Sequence, residues 1–381
     1  MSRDSDMASR SHELRLDMPV IKKDYVLKCV PNKIRLNKLM YDSITTDEEF
    51  LNQATKSHKL IMMNENTIPY QFYHGRKMPR MDLASSHEEA DMIVTKHAIL
   101  CGLEPNSRVE CITEDTDIFV AVCHFYQDRK LENPMIMQSP KRNRDTYDIK
   151  ASVNENQEVM PKILAIHGLS GNDTVCSPHN IGKTIALKAG KKNSFVKIGL
   201  IDSTTAEIME EGTKFMTSCY NNPTCKTMTE CRQKAWAQKT GKSGSAPKLA
   251  TLPSTTEGFL MNVLRAHLQI CNWNYAMEID PPELNPADLG FEADHTNKVL
   301  IPKALPDGVK AAPDEILEKL RCGCSSEQPC KTTHCKCHKR GRPCTIFCGC
   351  SASEICCNPH KKQINDDDSE NDSDDEDENA T

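Results

Sequence analysis

Between Cys330 and Cys350 the stretch CKTTHCKCHKRGRPCTIFCGC places six cysteines in 21 residues. With its flanks the spacing is C-x-C-x5-C-x4-C-x-C-x6-C-x3-C-x-C-x5-C, formed by Cys322, Cys324, Cys330, Cys335, Cys337, Cys344, Cys348, Cys350 and Cys356. The segment has almost no large apolar side chains beyond Ile346, Phe347 and Ile355, so burial of hydrocarbon cannot hold it together. Metal ligation can, because the binding free energy of the ion becomes folding free energy. A tetrahedral zinc takes four thiolates, and nine is not a multiple of four. If three of the nine thiolates each bridge two ions, twelve coordination positions are filled and about three zinc ions are satisfied. Cys357 is left over as a spare or alternative ligand.

Zinc is preferred to disulfides on redox grounds. The opening residues, MSRDSDMASRSHELRLD, are charged and lack the apolar core of a secretory signal. The longest apolar run, around Ile118 to Cys123, falls far short of the roughly 20 residues that cross a bilayer. A soluble intracellular protein without a membrane partner is therefore expected, and there 19 cysteines are poor candidates for disulfides. The formal net charge of -6 is misleading, since DDDSENDSDDEDE from Asp366 to Glu378 carries ten acids and no base. This tail, within 361–381, is expected to be disordered, and the rest of the chain is slightly basic. A basic body with an acidic tail suits a nucleic-acid-associated, nuclear protein; a purely solubilising tail fits as well.

Residues 1–80 are poorly defined, with a weak helical pattern at Asp47 to Ala54. SSHEEADMIVTKHAILCG then offers a serine cap with glutamate three residues on, and Ala90, Ile93, Val94, Ala98 and Cys101 at helical spacing. RVECIT predicts a strand running into EDTD and a further apolar stretch, IFVAVCHF; Met135 to Gln138 predicts a second strand. After the basic loop KRNRD, EVMPKILAIHGLSGND predicts a helix through Ile166 or His167 that stops at a glycine turn carrying Asp173. TAEIMEEGTKFMTSCY and ECRQKAWAQ read as helices, as does Thr255 to Cys271, whose Phe259, Leu260, Val263, Leu264 and Leu268 form a core stripe. Between them, 238–253 is rich in Gly, Ser, Pro and Lys and predicts a flexible linker; 254–320 adds the helix and a proline-rich connector. Helix, strand and helix in this order imply an α/β domain with some parallel strands.

Three acidic groups stand at the ends of these elements: EEAD at Glu88 to Asp91, DTD at Asp115 and Asp117, and Asp173 in GND. The carboxyl ends of parallel strands converge on one crevice, so acids distant in sequence can meet there. Carboxylates gathered in this way hold hard divalent ions such as magnesium. At the first pair two registers are open, since Glu88 shares a helix face with Asp91 and Glu89 does not.

The order EAD, TEDTD, and a helix ending GND followed by NIGK resembles the nuclease core of the flap endonuclease (XPG) superfamily, within the PIN-like fold. The resemblance spans about Ser85 to Lys188 and implies an α/β, PIN-like sheet with flanking helices over 81–237. It also implies catalytic carboxylates at Glu89, Asp91, Asp115, Asp117 and Asp173, serving magnesium. Ile181, Gly182 and Lys183 stand where that superfamily grips duplex phosphates and a potassium ion. Members also draw ligands from strands well before the EAD helix, and no apolar strand ending in aspartate is legible before residue 85, so the domain is N-terminally incomplete by this reading. Residues 321–360 are similar to the tesmin-type CXC domain, which implies a zinc cluster and DNA binding. Lys336, Lys339, Arg340 and Arg342 would attract a phosphate backbone. His334 replaces the tyrosine that enters the minor groove in that family. Together the modules look like uncharacterised, transposon-associated animal proteins. The expected function is that of a zinc-binding, DNA-associated protein with a degenerate nuclease-like domain; the alternatives are an active magnesium-dependent, structure-specific nuclease and a protein-interaction scaffold.

Overall fold

The computed structural model describes residues 14–15, 17–18, 27, 29–63, 67–240, 248–294, 299–310, 321–345 and 348–360. The chain divides into two compact units, Met1–Pro306 and Asp307–Thr381. The acidic tail, residues 241–247 of the expected linker, and Ile346 and Phe347 lie outside the described residues. Among the described residues no helix is long and apolar enough to cross a membrane.

The first unit opens with α1 (Val30–Thr46) and α2 (Glu48–Ala54). Asp47 caps α2, its carboxylate accepting the Phe50 N–H at 2.9 Å, in line with the helical pattern read there. The chain then forms an antiparallel sheet of β1 (Leu60–Met62), β2 (Tyr70–Tyr73) and β3 (Arg76–Pro79), which the sequence reading missed. Its signal was the dipeptide between β2 and β3: His74 and Gly75 both take positive φ, 48° and 70°, as a two-residue hairpin turn of the primed kind requires. None of these strands ends in aspartate.

The helix α3 spans Ala90–Leu103, but the expected serine cap does not form. Ser86 instead donates both its N–H and its hydroxyl to the Ile279 carbonyl, at 2.8 and 3.1 Å, and Glu89 takes the N-cap position. The buried face also differs from the predicted stripe. Met92, Thr95, Lys96, Ala98 and Ile99 turn inward while Val94 is exposed. A lysine can hold an inward position because its ammonium donates to the Ala84 and Glu278 carbonyls at 2.6 and 2.9 Å. The apolar side chains Ile93 and Val94 line a groove shared with Ile34, Met40 and Tyr41 of α1.

Next come β4 (Val109–Ile112), α4 (Thr116–Asp128) and β5 (Met135–Gln138), with β4 and β5 parallel and Val109 opposite Met135. The mixed α/β class is therefore as expected, and IFVAVCHF proves to be the buried crossover helix between the two parallel strands. A third strand, β6 (Thr146–Asp148), pairs antiparallel with β5 and leads into α5 (Ile149–Glu155).

Five helices complete the unit: α6 (Ile163–Ser170), α7 (Lys183–Lys192), α8 (Thr205–Cys219), α9 (Met228–Lys239) and α10 (Thr256–Asn274). Every residue of α6 is buried, because it packs against α4, α7 and α10. Glycines allow those crossings. A β-carbon on Gly168 would lie 2.7 Å from Ile270 of α10, and one on Gly190 would lie 2.2 Å from Ile166. We expect Gly168→Ala to destabilise the unit by ~1–3 kcal/mol through overpacking, read as a lower urea midpoint at unchanged slope. The stripe of α10 is core as predicted, and Trp273 is fully buried, whereas Trp236 of α9 is about half exposed. Because α10 shares this core, 238–253 joins two parts of one unit. A hairpin of β7 (Phe291–Asp294) and β8 (Val299–Pro302) follows.

Among its described residues the second unit has one short helix, α11 (Lys336–Lys339), and otherwise turns and loops, in keeping with the loop-rich module expected. Its buried cluster consists of cysteines, Cys322, Cys330, Cys335, Cys337, Cys348, Cys350 and Cys356, with Cys324 and Cys344 packed against them.

Candidate metal centres

The acidic centre is built at the N-termini of two neighbouring helices. Asp115 is the N-cap of α4, and its carboxylate accepts the N–H of Asp117 at 2.8 Å. Asp91 lies in the first turn of α3. The positive ends of both helix dipoles favour carboxylates at these positions. Asp91, Asp115 and Asp117 each bring an oxygen within 4.8 Å of the others. An ion with Mg–O near 2.1 Å would set opposed oxygens about 4.2 Å apart, so the triad fits one such ion after a small closure. Burial, with the charges of Asp115, Asp117, Glu89 and Asp173, pushes the Asp91 carboxyl up to about 6. All five predicted acids thus share one electrostatic neighbourhood, though Glu89 and Asp173 stand outside the compact triad.

Of the first pair, Glu89 is the one whose charge reaches Asp91. Its two carboxylate oxygens accept from the Gln269 side-chain amide at 3.0 and 2.9 Å, while Glu88 faces the groove with α1. Gln269 is itself anchored by the Thr174 hydroxyl at 3.0 Å. The sequence reading missed Gln269; its signal was a polar residue one turn beyond Arg265 on an otherwise apolar helix face. His167 has a firmer role than an exposed helix end would give it. It is buried, with Nε2 2.7 Å from a carboxylate oxygen of Asp117 and its ring against Trp273.

The Ile181–Gly182–Lys183 turn leads from the end of α6 into α7. Ile181 is buried and Gly182 is the N-cap of α7, with open space where a β-carbon would stand. The Lys183 ammonium turns inward, donating to the His167 and Gly171 carbonyls and the Ser170 hydroxyl at 3.2, 2.5 and 2.9 Å. Burial lowers its pKa to about 8 against the pull of Asp117. The residue as a whole stays exposed, so these bonds tie the ammonium to the carbonyl end of α6 while part of the side chain faces solvent.

In the thiol centre, three sets of four sulfurs each lie within 4.8 Å: Cys322, Cys330, Cys335 and Cys344; Cys322, Cys337, Cys344 and Cys348; Cys330, Cys344, Cys350 and Cys356. Measured sulfur pairs are 3.6 Å for Cys322–Cys330, Cys330–Cys344 and Cys337–Cys348, 3.7 Å for Cys350–Cys356 and 3.9 Å for Cys322–Cys344. Zn–S bonds of about 2.3 Å give a tetrahedron edge of about 3.8 Å, whereas a disulfide would need about 2.05 Å. The spacing fits ligation by a soft cation. Cys324 lies beside Cys322, Cys330 and Cys335. If it stands in for Cys344 in the first set, nine thiols with Cys322, Cys330 and Cys344 each shared twice give three complete tetrahedra. Crowding sets the thiols against one another: burial and neighbouring sulfurs push Cys337 up to about 12, while burial of Cys335 is outweighed by the His338 N–H and nearby thiols, which bring it to about 7. Cys357 is exposed and belongs to none of the sets.

Lys336, Lys339, Arg340 and Arg342 are all exposed, the first two on α11 and the others directly after it; His334 is exposed beside them. Comparison of the chain with family models, curated proteins and solved structures gave no match.

Proposed function

We propose that the chain is a zinc-cluster, DNA-associated nuclear protein whose α/β unit is a PIN-like, nuclease-type domain reduced to a one-ion carboxylate site. The overlapping thiol sets carry this reading, since sulfurs at tetrahedron-edge separations without a hydrocarbon core are what a zinc-folded module requires. Cys322, Cys324, Cys330, Cys335, Cys337, Cys344, Cys348, Cys350 and Cys356 would hold about three zinc ions. Lys336, Lys339, Arg340 and Arg342 would meet the phosphate backbone through charge, so binding weakens steeply with salt. In the acidic centre Asp91, Asp115 and Asp117 would hold one magnesium ion, which when bound supplies charge for a phosphate oxygen. His167 orients Asp117 and Gln269 orients Glu89. Two-metal cleavage uses ions about 3.5–4 Å apart, and the compact set of three carboxylates supports one.

The convergence of those carboxylates favours a second reading, hydrolysis of phosphodiesters with magnesium. The full chain incubated with flap and hairpin DNA in magnesium is expected to bind without cutting at a rate above background. Cleavage that disappears in Asp115→Asn would establish the second reading. For the first, replacing Lys336, Lys339 and Arg342 together by alanine is expected to lower the salt slope of DNA binding by about 2–3. An unchanged slope would leave the zinc module as a protein-binding knot.

A further inference from the structure

Beside the acidic centre lies a cleft of about 530 Å3, inside the roughly 300–1,000 Å3 range of small-ligand pockets. One end is the carboxylate of Asp115, shared with the acidic triad. The far wall is aromatic: Phe119 from α4 and Tyr147 from β6, ring centres 5.7 Å apart and planes tilted by 59°. Tyr147 is 54% exposed on a three-residue edge strand, although a tyrosine there could have packed inward. Arg144 and Asp145 also line the cleft, the Arg144 Nε standing 3.8 Å from Glu114 in a loose pair. Glu114 already has two close partners, the Lys141 ammonium and the Ser139 hydroxyl, both at 2.6 Å, so its charge is largely answered from within the protein.

These features divide into two kinds of recognition at fixed separation. Carboxylates of metal-ligating type and a guanidinium at one end suit a phosphate neutralised by an ion. An exposed aromatic face over the Met137 floor at the other end suits a flat π-system. The Thr113 hydroxyl, which accepts the Asp115 N–H at 3.1 Å, also lines the cleft and keeps its proton to donate along a polar edge. A nucleotide combines a phosphate, a flat base and a hydrogen-bonding edge; an inorganic phosphate or a simple sugar phosphate has only the first.

We propose that this cleft is a nucleobase subsite: a nucleotide stacks its base on Tyr147 and Phe119, with its phosphate directed toward Asp115 and Arg144. The phosphate half rests on the one-ion reading of the acidic centre; the base half does not. Stacking of a base on one aromatic side chain is worth on the order of tenfold in affinity or more.

Isothermal titration of the full, zinc-loaded chain with deoxyadenosine 5′-monophosphate and with deoxyribose 5-phosphate, each with and without calcium, separates the two halves. The nucleotide is expected to bind at least tenfold tighter than the sugar phosphate. Tyr147→Ala should remove that preference and Tyr147→Phe should retain it, while calcium binding stays unchanged in both. Equal affinity for the two probes, no binding of either, or a preference that survives Tyr147→Ala together with Phe119→Ala would overturn the subsite. Loss of the calcium dependence alone, with the base preference intact and Asp115→Asn without effect on ion binding, would overturn the one-ion reading and leave the subsite standing.

Discussion

Cys344→Ser releases more than one zinc ion per chain, whereas Cys356→Ser releases one at most. The difference follows from position in the cluster, because in the nine-thiol arrangement Cys344 would bridge two ions and Cys356 would hold one. Zinc counted by plasma emission should read about three per chain in the wild type under the bridging arrangement. Each structural zinc binds with roughly 10–16 kcal/mol at neutral pH, as much as a whole domain's stability of about 5–15 kcal/mol. Removing the ions should therefore unfold residues 321–360 completely, since the buried cluster there is of thiols. The first unit has its own apolar core and should keep its helices under the same chelator. Limited proteolysis and helical circular dichroism read the two outcomes separately. Equal zinc loss in both variants, or a wild-type content near one, would refute the shared-thiol arrangement.

Asp91→Asn should stabilise the ion-free protein at pH 7.5 and abolish its binding of manganese or magnesium. The Asp91 carboxyl is pushed up to about 6 from its ordinary value of 3.8, first by burial and then by its acidic neighbours. A raised carboxyl pKa means that the folded state holds the proton more tightly than the unfolded state does. The favourable contribution is therefore fully present below pH 3.8 and is lost as pH rises through about 6. Ion-free protein should accordingly gain stability from this group between pH 7.5 and pH 5. A shift of about two units corresponds to about 3 kcal/mol; partial solvation of the side chain reduces the expected gain to ~1–2 kcal/mol. The ion reverses the order. It needs the ionised carboxylate, so stabilisation by manganese should be strong at pH 7.5 and largely gone at pH 5. Thermal melts at the two pH values, with and without manganese, test both signs. A wild type whose manganese shift is the same at both would remove Asp91 from the ligand set.

The parts of this molecule that the sequence made legible are those in which residue type and local spacing carry the chemistry. Nine cysteines at short intervals announce their own cluster, Asp91 announces itself by standing where a helix begins, and Asp115 and Asp117 by closing a strand. The strands at Val109 and Met135 were readable from β-branched and apolar runs with clear boundaries. What could not be read depends on partners far along the chain. The face buried by α3 is decided by Lys96, which is inward only because Ala84 and Glu278 supply carbonyls. The inward turn of Lys183 depends on how α6 ends, and a G-K pair looks the same whether it faces phosphate or protein. The hairpin at residues 70–79 was within reach, since His-Gly in a two-residue turn is a recognisable, if uncommon, form of the Asn-Gly signal.

The clasp between Gln269 and Glu89 joins residues 180 positions apart, across a stretch that looks like a natural place to cut. A transcript or protease that stopped the chain near Lys239 would not yield a smaller, intact α/β unit. It would strip α6 of the helix that packs on His167 and Gly168, expose an oily trough, and free Glu89 to swing away from its neighbours. Such a product should be recognised by the cell as damaged and cleared. For anyone dissecting the molecule into pieces, the useful cut lies beyond Pro306.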